Sequence, residues 1–251
     1  MGVASPVEAF AGSRPLEGSR GGLALGIDTA RILRWYTIAI GVALGLGALR
    51  FGVEVALGRP YNELAPFLSV DREASLPTWV SVMLLGAIGG FMHLAASAAR
   101  AGGEGTARSW KVLGWIFIYM AADELVAIHE GFDRLGASLV PGGGLFHFGW
   151  VVFGLIAVAA AGLGFLPFLF RLRRITAIRL FVAGAVYVFG ALGLEMLGGL
   201  VIEATEDSFW RGVMAMFEET FEMVGLALAL RAVLLHLAAT QAQFRVEAAT
   251  G

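Results

Sequence analysis

Two acidic segments interrupt long apolar runs in this sequence, and their residue types could do chemistry. Residues 119–130 hold three acids and a histidine, and residues 217–223 hold three further glutamates. A charge at the centre of a bilayer costs at least about 2.5–3.5 kcal/mol. Acids in such runs must therefore be hydrated, protonated or bound to cations, which makes them the candidate functional residues of the chain.

Metal coordination is the first chemistry that these residue types favour. Carboxylate and imidazole ligands suit iron, manganese or zinc, and a divalent ion would convert repulsion among the acids into coordination. Carboxylate-bridged metal sites occur inside helical bundles, although the Glu-x-x-His pattern typical of them is missing from both segments. We predict a site for one or two divalent ions with these ligands: Asp123, His129, Glu130, His147, Glu195, Glu218 and Glu222.

A metal-activated water at this site would make the chain a membrane enzyme. Glu124 and Glu219 are the predicted catalytic residues, as general bases or as groups that orient the ligands. A position near the outer leaflet suits hydrolysis or oxidation of a lipid-like or small-molecule substrate. A metal-free route has no motif to support it, because Gly-x-Ser-x-Gly and His-Glu-x-x-His are both missing.

Two other interpretations of the same acids stay open. They could form the proton or cation path of a transporter, although the inner half of the spans offers only His93 and His236 to continue such a path. They could instead face water in a structural subunit of a larger membrane complex or a homo-oligomer. Glu195 and Glu222 fit a wet surface poorly, because apolar residues continue on both sides of each.

The elements that must position these acids are membrane helices. Of the 251 residues, 58% are hydrophobic and 15% are charged, whereas a soluble domain carries about 25% charge. Several apolar runs exceed the ~20 residues that cross a bilayer. The absence of cysteine excludes disulfides and thiolate metal sites, and no basic stripe indicates nucleic-acid binding. The predicted fold class is an all-α integral membrane protein.

A bundle of six transmembrane helices is predicted within a single domain at residues 31–238, between a flexible tail at 1–30 and a C-terminal tail at 239–251. The spans lie at about 35–57, 76–99, 110–132, 145–170, 177–203 and 209–237. Arginine and lysine are concentrated in the loops on the side of the termini. The positive-inside rule therefore places both termini in the cytoplasm and the chain in a bacterial-type inner (plasma) membrane.

This topology gives each acid a depth and a helical face. At a rise of about 1.5 Å per residue, Asp123, Glu195 and Glu218 lie on the order of 12–15 Å below the outer boundary. Asp123 and Glu130 fall on one line of the third span. Glu195 shares its face with a seam of small residues that would bring another helix close: Gly184, Ala191 and Gly198.

Arg50 and Glu54 are interpreted differently, as a structural pair. They are four residues apart on the first span, a spacing at which opposite charges meet on a helix.

Overall fold

The computed structural model describes residues 23–59, 62–140, 143–205, 207–240 and 244–246. These ranges contain eight α-helices: α1 (Thr29–Ala56), α2 (Leu76–Ala101), α3 (Ala107–Val126), α4 (Asp133–Leu139), α5 (Val151–Arg171), α6 (Arg174–Val188), α7 (Glu195–Ala204) and α8 (Ser208–Ala239). A π-helical segment, Phe189–Leu194, joins α6 to α7. Short 3₁₀ turns occupy Pro66–Leu68, His129–Phe132 and Gly144–Phe146.

Two short strands form a small unit of their own, distinct from the helical unit Asp28–Ala242. β1 (Leu23–Leu25) and β2 (Phe244–Val246) are antiparallel, and Ala24 is paired with Arg245. Both strands fall within the ranges predicted as tails. The remainder of those tails, residues 1–22, 241–243 and 247–251, lies outside the described residues.

The long helices have the length and composition of membrane spans, which confirms the helical membrane class. In the described part of the chain, five qualify alone: Thr29–Ala56, Leu76–Ala101, Val151–Arg171, Arg174–Ala204 and Ser208–Ala239. A sixth span exists only if α3 and the segment His129–Leu139, which are bent by 80° relative to each other, are counted as one.

The third predicted span is therefore wrong as a continuous helix to residue 132. α3 ends at Val126, and Ala127 adopts a left-handed conformation with φ 49° and ψ 50°. The Asp123 carboxylate accepts a hydrogen bond from the backbone N–H of His129 at 2.8 Å. That amide would have bonded to the Leu125 carbonyl in a continuing helix, so the side chain competes with the helix. Asp123 and Glu130 consequently share no helical face.

The fourth predicted span also begins too early, since α5 starts at Val151 rather than near residue 145. The intervening residues form the turn at Gly144–Phe146 instead.

α8 is the central helix of the bundle and contacts α1, α2, α6 and α7. The part of α8 that follows Glu222 is packed with apolar side chains. Leu226, Leu230 and Leu234 there are almost fully buried. Trp110 of α3 is fully buried there and stacks on His236, with ring centroids 4.8 Å apart. Below the acids, the bundle is therefore a dry core.

The pairing of Arg50 with Glu54 is confirmed and ties a loop to the bundle. Arg50 Nη1 lies 3.1 Å from Glu54 Oε1, and both side chains are 1% exposed. The Glu54 carboxylate also accepts the backbone N–H of Leu64 at 2.7 Å and that of Asn62 at 3.3 Å. This anchor fixes the start of the α1–α2 loop, which continues over the acidic segments.

Candidate functional site

Acidic side chains from distant parts of the chain line one cavity of about 310 Å³, here called the acidic cavity. Among the described residues that line it, the basic ones are Arg72 and His129. Its carboxylates come from the α1–α2 loop, α3, the turn after α3, α7 and α8: Asp71, Glu73, Asp123, Glu124, Glu130, Glu195, Glu218, Glu219 and Glu222.

A neighbouring cavity of about 360 Å³ shares part of this lining. Asp71, His129, Glu130, Trp150, Glu195 and Glu218 line both cavities. The neighbouring cavity adds Asp133 and Arg211. Both cavities lie on the side of the bundle that carries the α1–α2 loop and the turns between α3 and α5, which is the side opposite the α5–α6 turn.

A series of hydrogen bonds with one aromatic contact runs from α3 to α7 along the wall of the acidic cavity. Asp123 binds His129 through both oxygens: Oδ1 accepts the backbone N–H, and Oδ2 lies 3.0 Å from Nδ1. The His129 ring packs against the edge of Trp150, with centroids 4.7 Å apart. Trp150 Nε1 donates to Glu195 Oε1 at 3.2 Å. Asp123 thus orients the imidazole and leaves its Nε2 free of this contact.

Glycines bring α6 and α8 close enough for their acids to meet. A Cβ on Gly225 would lie 2.6 Å from the Tyr187 backbone nitrogen, and a Cβ on Gly190 would lie 2.9 Å from the Glu222 nitrogen. At this approach Tyr187 of α6 and Glu222 of α8 both line the acidic cavity. Small residues serve close backbone packing between membrane helices in this way.

Glu195 and Glu218 both line the acidic cavity and the neighbouring cavity. A carboxylate is only an acceptor, so these two groups can bond to each other only when one of them carries a proton. Glu195 directly follows the π-helical segment Phe189–Leu194. Single π-helical turns are rare and often occur at functional sites, because their wider turn re-aims the side chains that follow.

The α1–α2 loop places two more acids over the acidic cavity. Partial removal of its carboxyl group from water raises the pKa of Asp71, and the nearby Arg211 offsets part of this rise. The pKa of Glu73 is raised by the same removal from water and then by the Glu130 carboxylate. Both acids therefore hold protons to a higher pH than free side chains do.

The structure brings most of the sequence-derived candidates to the acidic cavity. These are Asp123, Glu124, His129, Glu130, Glu195, Glu218, Glu219 and Glu222. His147 lies elsewhere and lines neither cavity. Its Nδ1 is 3.1 Å from Glu203 Oε1, and Glu203 Oε2 accepts the Gly144 N–H at 2.6 Å, so this histidine fastens the turn before α5 to the end of α7.

A metal centre requires donor atoms that converge on one point. In the part of the chain that the structure describes, no group of three or more histidines and acids is arranged to hold a metal ion. Ligand atoms must converge to about 2.0–2.2 Å from a zinc ion. Here Asp123 is engaged by His129 and Glu195 by Trp150. The candidate ligands thus bind protein groups spread around a large cavity.

Sequence reasoning missed several residues of the site: Asp71, Arg72, Glu73, Trp150, Tyr187 and Arg211. Three of them are in a loop whose position over the bundle has no local signal. Tyr187 had a weak sequence signal, because it is a polar aromatic residue inside the fifth apolar run.

The helical bundle matches one family description, "Domain of unknown function (DUF8692)", over residues 36–237. The chain belongs to the DUF8692 family. The matched range contains all residues that line the acidic and neighbouring cavities. No curated protein and no solved structure matched the chain.

Proposed function

We propose that this DUF8692 chain is a proton-coupled carrier that binds a cationic solute in the acidic cavity. It crosses the inner (plasma) membrane six times, counting the bent segment after α3 as part of the third span, with both termini in the cytoplasm. The arginine-rich loops on the side of α1's beginning support this orientation. The acidic cavity then faces outward.

The charge imbalance of the acidic cavity carries this proposal. Nine carboxylates line it together with Arg72 and His129. Carboxylates this close cannot all stay ionised, so protons or a bound cation must neutralise them. Because the acids surround a volume of about 310 Å³ and do not converge on one point, an extended organic amine suits them better than one small ion.

A proton shared by Glu195 and Glu218, which line both cavities, would supply the coupling. An amine that approaches Glu195 replaces this proton as the partner of the carboxylate, and the proton leaves towards His129 or the outer water. Release to the cytoplasm requires a rearrangement, because the core around Trp110 and Leu230 closes the path below the cavity. The π-helical segment beside Glu195 is the element on which such a movement would turn.

Uptake into proteoliposomes tests the proposal, with spermidine as the organic cation and an outward-directed proton gradient as the driving force. Wild type is expected to accumulate spermidine, and Glu222→Gln to reduce the rate by on the order of tenfold, through loss of one charged partner. Glu63→Gln is the matched control, because Glu63 is an exposed acid outside both cavities. Equal uptake by wild type and Glu222→Gln would contradict the carrier function.

Metal content separates this function from the metal-dependent enzyme. The purified protein is assayed for bound iron, manganese and zinc, alone and as the Glu195→Gln/Glu218→Gln variant. The carrier predicts sub-stoichiometric metal in both. Stoichiometric metal that is lost in the variant would support the enzyme and contradict the carrier.

A further inference from the structure

An apolar cavity lies at the end of the bundle opposite the acidic cavity, where α5 turns into α6. It is a groove of about 350 Å³ between the two helices, here called the α5–α6 groove. Its walls are apolar: Leu166, Leu169 and Phe170 on α5, and Ala177, Ile178 and Phe181 on α6. Phe170 is 81% exposed and Phe181 66% exposed, so this chain leaves the aromatic walls uncovered.

Arginines border this groove at the turn. Arg174 lines it directly, and Arg171 and Arg173 are neighbours on the same exposed turn. Within the described residues, none of the three forms an ion pair with an acid. The facing α2–α3 loop has one acid, Glu104, whose carboxylate accepts a hydrogen bond from Thr106. Three basic residues lie near it in sequence: Arg100, Arg108 and Lys111.

The first turn of α6 adds hydrogen-bond donors at the same place. α6 begins at Arg174 after Arg173, and no side chain caps its first amides. Uncapped amides at a helix N-terminus carry a partial positive charge and bind phosphate groups. An apolar groove, arginines with no ion pair among the described residues, and first-turn amides with no side-chain cap there thus meet within one turn of the chain.

We propose that the α5–α6 groove binds an anionic phospholipid, with an acyl chain between Phe170 and Phe181 and the phosphate on Arg171, Arg174 and the first amides of α6. The walls from Arg174 to Phe181 extend for about 10 Å along the helix, which accommodates part of one acyl chain. A zwitterionic lipid fits less well, because its own cation would meet the arginines of the turn. This site is independent of the acidic cavity and its function.

Native mass spectrometry of the full chain tests the site, with phosphatidylglycerol against phosphatidylcholine as the added lipid. Wild type is expected to retain phosphatidylglycerol. Arg171→Gln/Arg174→Gln should weaken its binding about 30-fold, because each arginine near an anionic surface is worth roughly fivefold. Arg134→Gln is the control with the same exposed side chain on the opposite face of the bundle, and it should bind as wild type does.

A second variant separates a lipid from a free anion. Ala177→Trp fills the groove and keeps every arginine, so this variant should lose the lipid. In wild type, added inorganic phosphate should not displace the lipid. Lipid binding that survives Ala177→Trp, competition by inorganic phosphate alone, equal binding of both lipids, or full binding in the double arginine variant would each overturn the proposal.

Discussion

Substituting Gly225 by alanine should force α6 and α8 apart and weaken the fold. The added Cβ would lie 2.6 Å from the backbone nitrogen and 2.7 Å from the Cα of Tyr187. Non-bonded heavy atoms normally rest at about 3.5–4.0 Å, so the two backbones must separate by roughly 1 Å. A side-chain rotation cannot relieve this contact, because both atoms belong to the main chain. Overpacking of this kind costs about 1–3 kcal/mol of unfolding free energy.

Gly184→Ala supplies the matched control, because the same substitution on α6 meets nothing within 4 Å. Equilibrium unfolding in detergent micelles, followed by circular dichroism, should show Gly225→Ala destabilised and Gly184→Ala unchanged or slightly more stable. Spermidine binding should fall only in Gly225→Ala, because Tyr187 and Glu222 line the acidic cavity from the two helices that meet at this contact. Unfolding free energies that agree within about 0.5 kcal/mol would refute the close approach of α6 and α8.

Three further changes test other parts of the structure. Glu54→Ala should lower the unfolding free energy by about 3–5 kcal/mol in an unfolding titration, because it removes the buried partner of Arg50. A decrease below about 1 kcal/mol is typical of an exposed ion pair and would show that the pair is in water. Trp150→Phe keeps the ring but removes the donor to Glu195, and should weaken spermidine binding in calorimetry without changing the unfolding free energy by more than about 1.5 kcal/mol. Because the folded-state pKa of Asp71 is raised, its contribution to stability is full below about pH 4 and is lost as pH rises through the folded value. Asp71→Asn should therefore flatten the fall of the unfolding temperature between acid and neutral pH, and parallel profiles would contradict the raised pKa.

The spans were predictable because apolar length is a local property of the sequence. The second, fifth and sixth predicted spans end within about three residues of the helices that the structure contains. The first begins six residues earlier than predicted, at Thr29, where the Asp28 side chain caps the helix by accepting the Arg31 N–H at 2.9 Å.

The turn after α3 was not predictable from hydropathy, because it depends on one side chain competing with the helix. Residues 119–130 read as a continuation of an apolar helix with acids in it. Whether Asp123 faces solvent or captures the His129 amide depends on what lies beside it. Here the His129 ring packs on Trp150, the residue that precedes α5, 21 residues further along the chain. The loop residues Asp71 and Glu73 were missed for the same reason, since the Glu54 anchor that holds their loop is a tertiary contact.

The position of Glu195 shows how one local irregularity changes a helical face. The seam predicted at Gly184, Ala191 and Gly198 assumes 3.6 residues per turn throughout the fifth span. The π-helical segment Phe189–Leu194 breaks that period. Gly198 still faces α8, where an added Cβ would lie 3.9 Å from the Met214 Cβ, but Gly184 meets no neighbour, and the closest approach of this span's segment falls at Gly190. A wider turn consumes extra residues before Glu195 and so rotates it relative to α6. Restoring a regular helix by deleting one residue of this segment should turn Glu195 away from Glu218 and abolish spermidine uptake while α6 still packs on α8. Uptake that persists in the deletion variant would show that the π-helical turn does not place Glu195.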